Sequence, residues 1–273
     1  MKKSKIFIYS FSILCSIVFL YPLFFNFISS FKDNDGIYNE ILALPSHWRF
    51  ENFIVAFKSA NIHIAILNSL IYATGGTFLA LVLGLLSSYP LARLKFRLNT
   101  PIYLYFTLGL MIPVFSMLIP ISRIITAING FNNYIVMIIL YAVFELPLTI
   151  FLITGYMKGI PRELDESAIM DGCGPFRLLF QILAPLTMPA ISTSGILAFF
   201  SIYNDLVWNV LFINNHNMYN ISMGLLTFVG KMGSSQMGPT FASIFITIIP
   251  TIIVYLFFQE KIEKGLGSGS VKG

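Results

Sequence analysis

Charged residues are spaced along this chain so that long apolar runs lie between them. Ile6–Phe31, Ser59–Ala92, Leu98–Ser122, Leu178–Asn204 and Met232–Gln259 contain no Asp, Glu, Lys or Arg, and Ile124–Met157 contains only Glu145. An α-helix needs about 20 predominantly apolar residues to cross the hydrocarbon core of a bilayer, and each run is long enough. The pattern predicts about six membrane-spanning helices. A further uncharged stretch, Leu206–Gly230, is interrupted by Asn209, Asn214, Asn215, His216, Asn217 and Asn220 and reads as a polar outer loop.

Within the spans, two patterns bear on packing. Gly76, Ala80, Gly84 and Ser88 recur every four residues in the second, the small-residue stripe that lets helix backbones approach closely in lipid. The third span carries Pro113 and Pro120 and the fourth Pro147. Each removes a backbone hydrogen bond within a helix, which a membrane protein tolerates where neighbours or a watery cavity satisfy the freed carbonyls.

Composition supports the membrane assignment: 56% of residues are hydrophobic and 11% charged, against roughly 45–50% and 25% in soluble domains. Six spans place both termini on one side, and the cations then divide unevenly. Lys2, Lys3, Lys5, Arg93, Lys95, Arg97, Lys158, Arg162, Arg177, Lys261, Lys264 and Lys272 share one face; Lys32, Arg49, Lys58, Arg123 and Lys231 share the other. By the positive-inside rule the richer face is cytoplasmic, so both termini are expected in the cytoplasm. The formal charge of +5 follows from this asymmetry and from anionic membrane lipid, and requires no nucleic-acid partner. The lysines before the first run resemble a secretory n-region, but that run exceeds a usual signal core and no small-residue cleavage site follows, so it reads as an uncleaved signal anchor. The expected organisation is a signal-anchor span and extracytoplasmic segment over 1–63, a permeation core over 64–262 with a cytoplasmic loop at 158–185, and a cytoplasmic tail over 263–273.

Chemistry is sparse. His47, His63 and His216 are scattered, Cys15 and Cys173 have no metal-site companions, and no catalytic or metal site is expected. Gly224–Met232 approximates a phosphate-binding loop, but five residues separate its glycines instead of four and Met232 stands where Ser or Thr must hold magnesium. The chain is therefore expected to be no enzyme and to carry no cofactor of its own.

The most informative stretch is Ile160–Pro189, IPRELDESAIMDGCGPFRLLFQILAPLTMP. Pro161 suits the first position of a short helix, with Glu163, Asp165 and Glu166 near its positive dipole end. Leu164, Ala168 and Ile169 are expected on one side of that helix. Asp171-Gly172 ends it, and Pro175 starts a second that runs into the fifth span through Pro185 and Pro189. A helix-turn-helix knob results.

This stretch resembles the EAA loop of ABC importer permeases, whose pattern is Glu-Ala-Ala, three residues, Gly, nine residues, Ile, any residue, Leu-Pro. Here Glu166-Ser167-Ala168 precedes Ile169, Met170, Asp171 and Gly172, and nine further residues lead to Ile182-Leu183-Ala184-Pro185. Ser167 and Ala184 depart from the pattern; its spacing is kept. Pro161–Asp165, Met111-Ile112-Pro113, Ile119-Pro120, Tyr203-Asn204-Asp205 and the terminal Gly269-Ser270-Val271-Lys272-Gly273 are similar to the carbohydrate-uptake branch with its maltose-type inner-membrane subunits.

The resemblance implies an all-α integral membrane protein with the ABC importer permease fold, in a bacterial plasma membrane. It implies a second homologous permease, two cytoplasmic ATPase subunits carrying ATP and Mg, and an extracytoplasmic solute-binding protein as partners. Leu164, Glu166, Ser167, Ala168, Ile169, Asp171, Gly172 and Pro185 would form the ATPase-coupling loop. Glu145, the single mid-span charge, would cost about 2.5–3.5 kcal/mol if ionised at the bilayer centre; a place on the sugar path and a structural role against the second permease are both open. Tyr203, Asn204, Asp205 and Trp208 offer aromatic faces and polar tips for a sugar, although aromatics also gather at membrane interfaces. The expected solute is a sugar or oligosaccharide, with another polyhydroxy solute such as glycerol phosphate as the alternative. A secondary transporter would want paired intramembrane charges or duplicated broken helices.

Overall fold

A computed structural model describes residues 2–232 and 236–269. Among the described residues all regular structure is helical. Four uninterrupted helices carry stretches long and apolar enough to cross a membrane: α1 (Lys2–Ser29), α4 (Ile62–Arg93), α7 (Tyr134–Lys158) and α14 (Met237–Gly269). Two further apolar pairs are bent, one by 101° between Asn99–Met111 and Val114–Ala127, the other by 77° between Pro175–Leu186 and Met188–Tyr203. The six expected runs map onto these six features, provided each bent pair is one span.

The bends have local causes. In the third run α5 (Asn99–Leu108) passes through a 3-10 turn to Ile112, which is extended with ψ 117°, as a residue before proline prefers. Pro113 is extended as well, and after a second 3-10 turn the chain resumes as α6 (Leu118–Ala127). Pro120 sits in the first turn of α6, where a missing N–H costs nothing. Pro147 lies within α7 without dividing it. Ahead of the fifth run come α8 (Glu163–Met170) and α9 (Pro175–Arg177); the run itself holds a π-helical turn over Leu178–Leu183, α10 (Ala184–Leu186) and α11 (Met188–Tyr203). The bend falls at Thr187, between Pro185 and Pro189, and the buried Thr187 hydroxyl donates to Leu183 O at 2.7 Å.

By its contacts the chain forms two compact units, Met1–Ile66 with Ile221–Ile252, and Leu67–Asn220 with Ile253–Gly273. In the first, α1 exposes apolar side chains from Ile6 to Leu20 on every side, as expected of a helix bathed in lipid. Its end is anchored by aromatic contacts, with Phe25 against Phe241 at 5.6 Å and Phe27 against Phe245 at 5.0 Å. Phe31 meets Trp48, Phe50 and Phe53. The connecting segment holds α2 (Asn34–Asn39) and α3 (Glu51–Ala60), and Asn52 Nδ2 donates to Ser30 O and Lys32 O, both at 2.9 Å. The Arg49–Asp33 pair, 2.9 Å, lies at its surface. The remaining short helix, α13 (Ile221–Met232), packs on α3.

In the second unit the small-residue stripe of α4 packs as expected. A Cβ on Gly76 would meet Ile202 Cδ1 at 2.8 Å and Tyr141 Cβ at 3.0 Å, and one on Gly84 would collide with Thr149 Cγ2. Ala80 and Ser88 are fully buried. On α7, Pro147 sits so close to Gly109 that a Cβ there would lie 2.8 Å from its Cγ. Near the ends of α4 and α7 a core of Ala92, Ile153, Met157, Ala168, Leu178, Leu179 and Leu183 joins the spans to the 158–185 segment. The remaining helix of this unit, α12 (Val207–Phe212), precedes a 3-10 turn at His216–Met218, so the polar stretch after Asn204 is a folded structure.

Candidate functional site

The knob is built by three local devices. Glu163, Asp165 and Glu166 fill the first turn of α8, where carboxylates meet the positive end of the dipole. Ser167 Oγ bonds back to Glu163 O at 2.8 Å. At the far end Gly172, with φ +77°, closes a Schellman turn in which its N–H donates to Ile169 O and that of Cys173 to Ala168 O, each at 2.9 Å. Cys173 then packs against the core that holds Ala168, the apolar contact that accompanies such a turn.

Burial divides α8 into two sides. Asp165 and Ala168 face this chain's own core, while Leu164, Glu166, Ser167, Ile169 and Met170 are exposed. The expectation that Leu164, Ala168 and Ile169 share a side is therefore corrected. At 3.6 residues per turn Ile169 lies about 140° around the helix from Leu164, and Ala168 is 7% exposed. The outward apolar groups are Leu164, Ile169 and Met170. Asp171, Gly172 and Pro185 are exposed, and Glu166 makes no ion pair among the described residues.

The inward side holds a feature that sequence reasoning missed. Arg93, the last residue of α4, places Nε 2.9 Å from Asp165 Oδ2, with the two side chains 4% and 13% exposed. Arg93 also donates to Ile160 O at 3.0 Å. A pair buried to this degree anchors α8 to α4 directly. Its only sequence signals were an arginine at a span's end and a carboxylate in a helix's first turn.

The residues expected along a solute path are divided as well. Tyr203 and Trp208 are corrected to the interior: Tyr203 stacks on Phe199 at 5.8 Å, and Trp208 lies between Phe144 at 4.7 Å and Phe212 at 5.9 Å. Asn204 is exposed, with Nδ2 donating to Phe200 O at 2.9 Å. Glu145 is partly buried and has the Ser201 side chain as a hydrogen-bonding neighbour. One turn earlier on α7, Tyr141 donates its hydroxyl to Asp205 Oδ2 at 2.9 Å. Asp205 also receives the N–H groups of Trp208 and Asn209, capping α12, and its backbone carbonyl accepts from Asn220 Nδ2. Burial raises the Asp205 carboxyl above its ordinary value of 3.8, although the Tyr141 hydroxyl and these backbone donors oppose the shift.

Around this carboxylate the spans clamp the polar segment. Asn68 Nδ2 donates to Asn217 O and Tyr219 O, both at 2.9 Å, while its Oδ1 accepts from Tyr134 OH at 2.7 Å. Tyr72 OH donates to Met218 O at 3.0 Å. Of the asparagines that marked this stretch as polar in sequence, Asn209, Asn215 and Asn220 tie it together through their side chains: Asn209 Oδ1 accepts from Asn220 N–H, Asn215 Oδ1 from Asn217 N–H, and Asn220 Nδ2 donates to Asp205 O.

Residues 76–267 match the family described as binding-protein-dependent transport system inner membrane component, a range that contains the knob and Asp205. The chain belongs to this family. As an inner membrane component it is 33% identical to the probable ABC transporter permease protein YurM of Bacillus subtilis, over 97% of this chain and 88% of that one. It is 30% identical to the diacetylchitobiose uptake system permease protein NgcG of Streptomyces coelicolor, over 95% and 86%. It is 29% identical to the trehalose/maltose transport system permease protein MalG of Thermococcus litoralis, over 96% and 95%. The fold is shared with a bacterial ABC transporter that imports the acidic polysaccharide alginate, with TM-score 0.80 at 20% identity over 95% of this chain and 98% of the solved one.

Proposed function

We propose that this chain is one membrane subunit of an ATP-driven, binding-protein-dependent importer of an oligosaccharide. A second homologous permease completes the path, two cytoplasmic ATPase subunits bind ATP and Mg, and an extracytoplasmic binding protein delivers the solute. The observation that carries this reading is the division of α8 by burial: Asp165 and Ala168 tie it to the spans, while around the rest of its circumference Leu164, Ile169 and Met170 are exposed with Glu166, which makes no ion pair among the described residues. A helix attached in that way moves with the spans when a partner moves it. Such rigid-body rocking is a known route to alternating access, and inverting a 99:1 population takes about 5.5 kcal/mol of differential binding. One small surface contact cannot supply that, so ATPase and loaded binding protein act together.

The uneven division of Lys and Arg supports termini and knob on the cytoplasmic side. The sugar class is supported by relatives named for diacetylchitobiose and trehalose/maltose. Glu145 and Asn204 are the residues best placed to meet a solute, since Tyr203 and Trp208 are engaged internally. Reconstitution with the ATPase, second permease and binding protein tests the reading: oligosaccharide uptake should require ATP and all the subunits, and Leu164→Asp with Ile169→Asp should abolish it while leaving membrane insertion intact. Uptake by this chain alone down an ion gradient would overturn it.

A further inference from the structure

Beside the knob, in the second unit, the link from α4 to α5 and the end of α7 line an open cleft of about 480 Å³. Four cations face it, Lys95, Arg97, Lys158 and Arg162, and no acidic residue does. None of the four forms an ion pair among the described residues. The buried carboxylate nearby, Asp165, is already held by Arg93. The carbonyl end of α4 is capped by Asn99 Nδ2, which donates to Pro90 O, Leu91 O and Leu94 O. Lys158 is steered by the ring of Tyr103, whose centroid lies 4.5 Å from its Nζ. No acidic side chain among the cleft's lining residues neutralises these four cations.

Its border decides the class of ligand. Leu94, Phe96 and Leu98 are exposed beside the cations, and α5, which starts at the cleft, buries none of its residues. A cationic cradle at one end of a helix that packs on α7 and leaves Leu104, Tyr105 and Leu108 exposed matches an amphiphile with an anionic head. Basic pockets between membrane helices bind such headgroups. We infer that this cleft holds the phosphate of an anionic phospholipid, with the acyl chains lying along α5. The inference rests only on the chain spanning a bilayer and is independent of which solute it moves.

Native mass spectrometry of the full chain with its accompanying subunits, taken from nanodiscs mixing phosphatidylglycerol and phosphatidylcholine, tests this. The wild type should retain phosphatidylglycerol selectively. Lys95→Gln and Arg97→Gln should each lower that retention about fivefold, the equivalent of about 1 kcal/mol per cation at an anionic surface. Lys158→Gln, a third site, should do the same should either of these fail to fold. Arg123→Gln, elsewhere in the unit, should change nothing. Equal retention of both lipids by the wild type, as when a protein subunit covers α5, would overturn the inference; so would equal losses in the Arg123 variant. Displacement of the lipid by millimolar inorganic phosphate would identify a free-anion site and reject the lipid.

Discussion

Arg93 Nε lies 2.9 Å from Asp165 Oδ2, joining the last residue of α4 to the first turn of α8 inside the protein. Removing one partner of a buried pair strands the other charge, at a cost of about 3–5 kcal/mol. Arg93→Ala and Asp165→Ala should each lower the thermal midpoint of the purified chain markedly. The exchanged pair Arg93→Asp with Asp165→Arg should recover part of the loss. Single variants that melt with the wild type would show that the pair contributes nothing.

Gly172 offers a sharper experiment, because no atom lies within 4 Å of a Cβ placed there while its φ is +77°. Space is free and only the backbone objects. An L-residue in this region costs about 1–2 kcal/mol, with Asn tolerated best. Uptake by the assembled importer should fall in the order Gly172, Asn, Ala, Val, with membrane insertion unchanged. An effect that instead follows side-chain volume would point to a contact with a partner.

Glycines in the spans should respond in opposite directions. Gly84→Ala drives a methyl into Thr149, and overpacking of this kind costs about 1–3 kcal/mol. Gly155, in the last turn of α7, has nothing within 4 Å of its Cβ position, so Gly155→Ala should gain about 0.4–1 kcal/mol by lowering the entropy of the unfolded chain. Thermal unfolding in one detergent would separate them.

Asp205 makes stability depend on pH in the less familiar direction. Burial raises its folded-state pKa above 3.8, so the folded chain holds the proton more tightly than the unfolded chain. Its contribution to stability is fully present below the unfolded value and is lost as pH rises through the folded one. Unfolding midpoints measured from acid to neutral pH should fall across that window, and Asp205→Asn should flatten the slope.

What the sequence made legible was whatever depends on runs and spacing. Charge-free lengths located the four long apolar helices and the two bent pairs, and the Gly76–Ser88 stripe anticipated close packing; which prolines bend the chain was not legible, since Pro147 passes within α7 while the chain turns at Pro113 and beside Pro185. The side of α8 that faces inward was harder. Asp165 looks like a dipole-stabilising surface acid until its partner, at the end of a different span, is known. Ile169, one position beyond the i+4 partner of Leu164, was within reach of simple helix geometry. Tyr203 and Trp208 carry no local sign of whether an aromatic ring meets solute, lipid or other rings; only Phe144, Phe199 and Phe212 settle it.

The π-helical turn at Leu178–Leu183 holds one residue more than the α-turn it replaces. One residue is about 100° of helical rotation, so the stalk beneath the knob is out of phase with an unbroken helix. Deleting any single residue there would restore regular winding and swing Leu164 and Ile169 around the stalk's axis without altering either of them. In this short stretch the chain keeps count: length is the specification, and residue identity comes second.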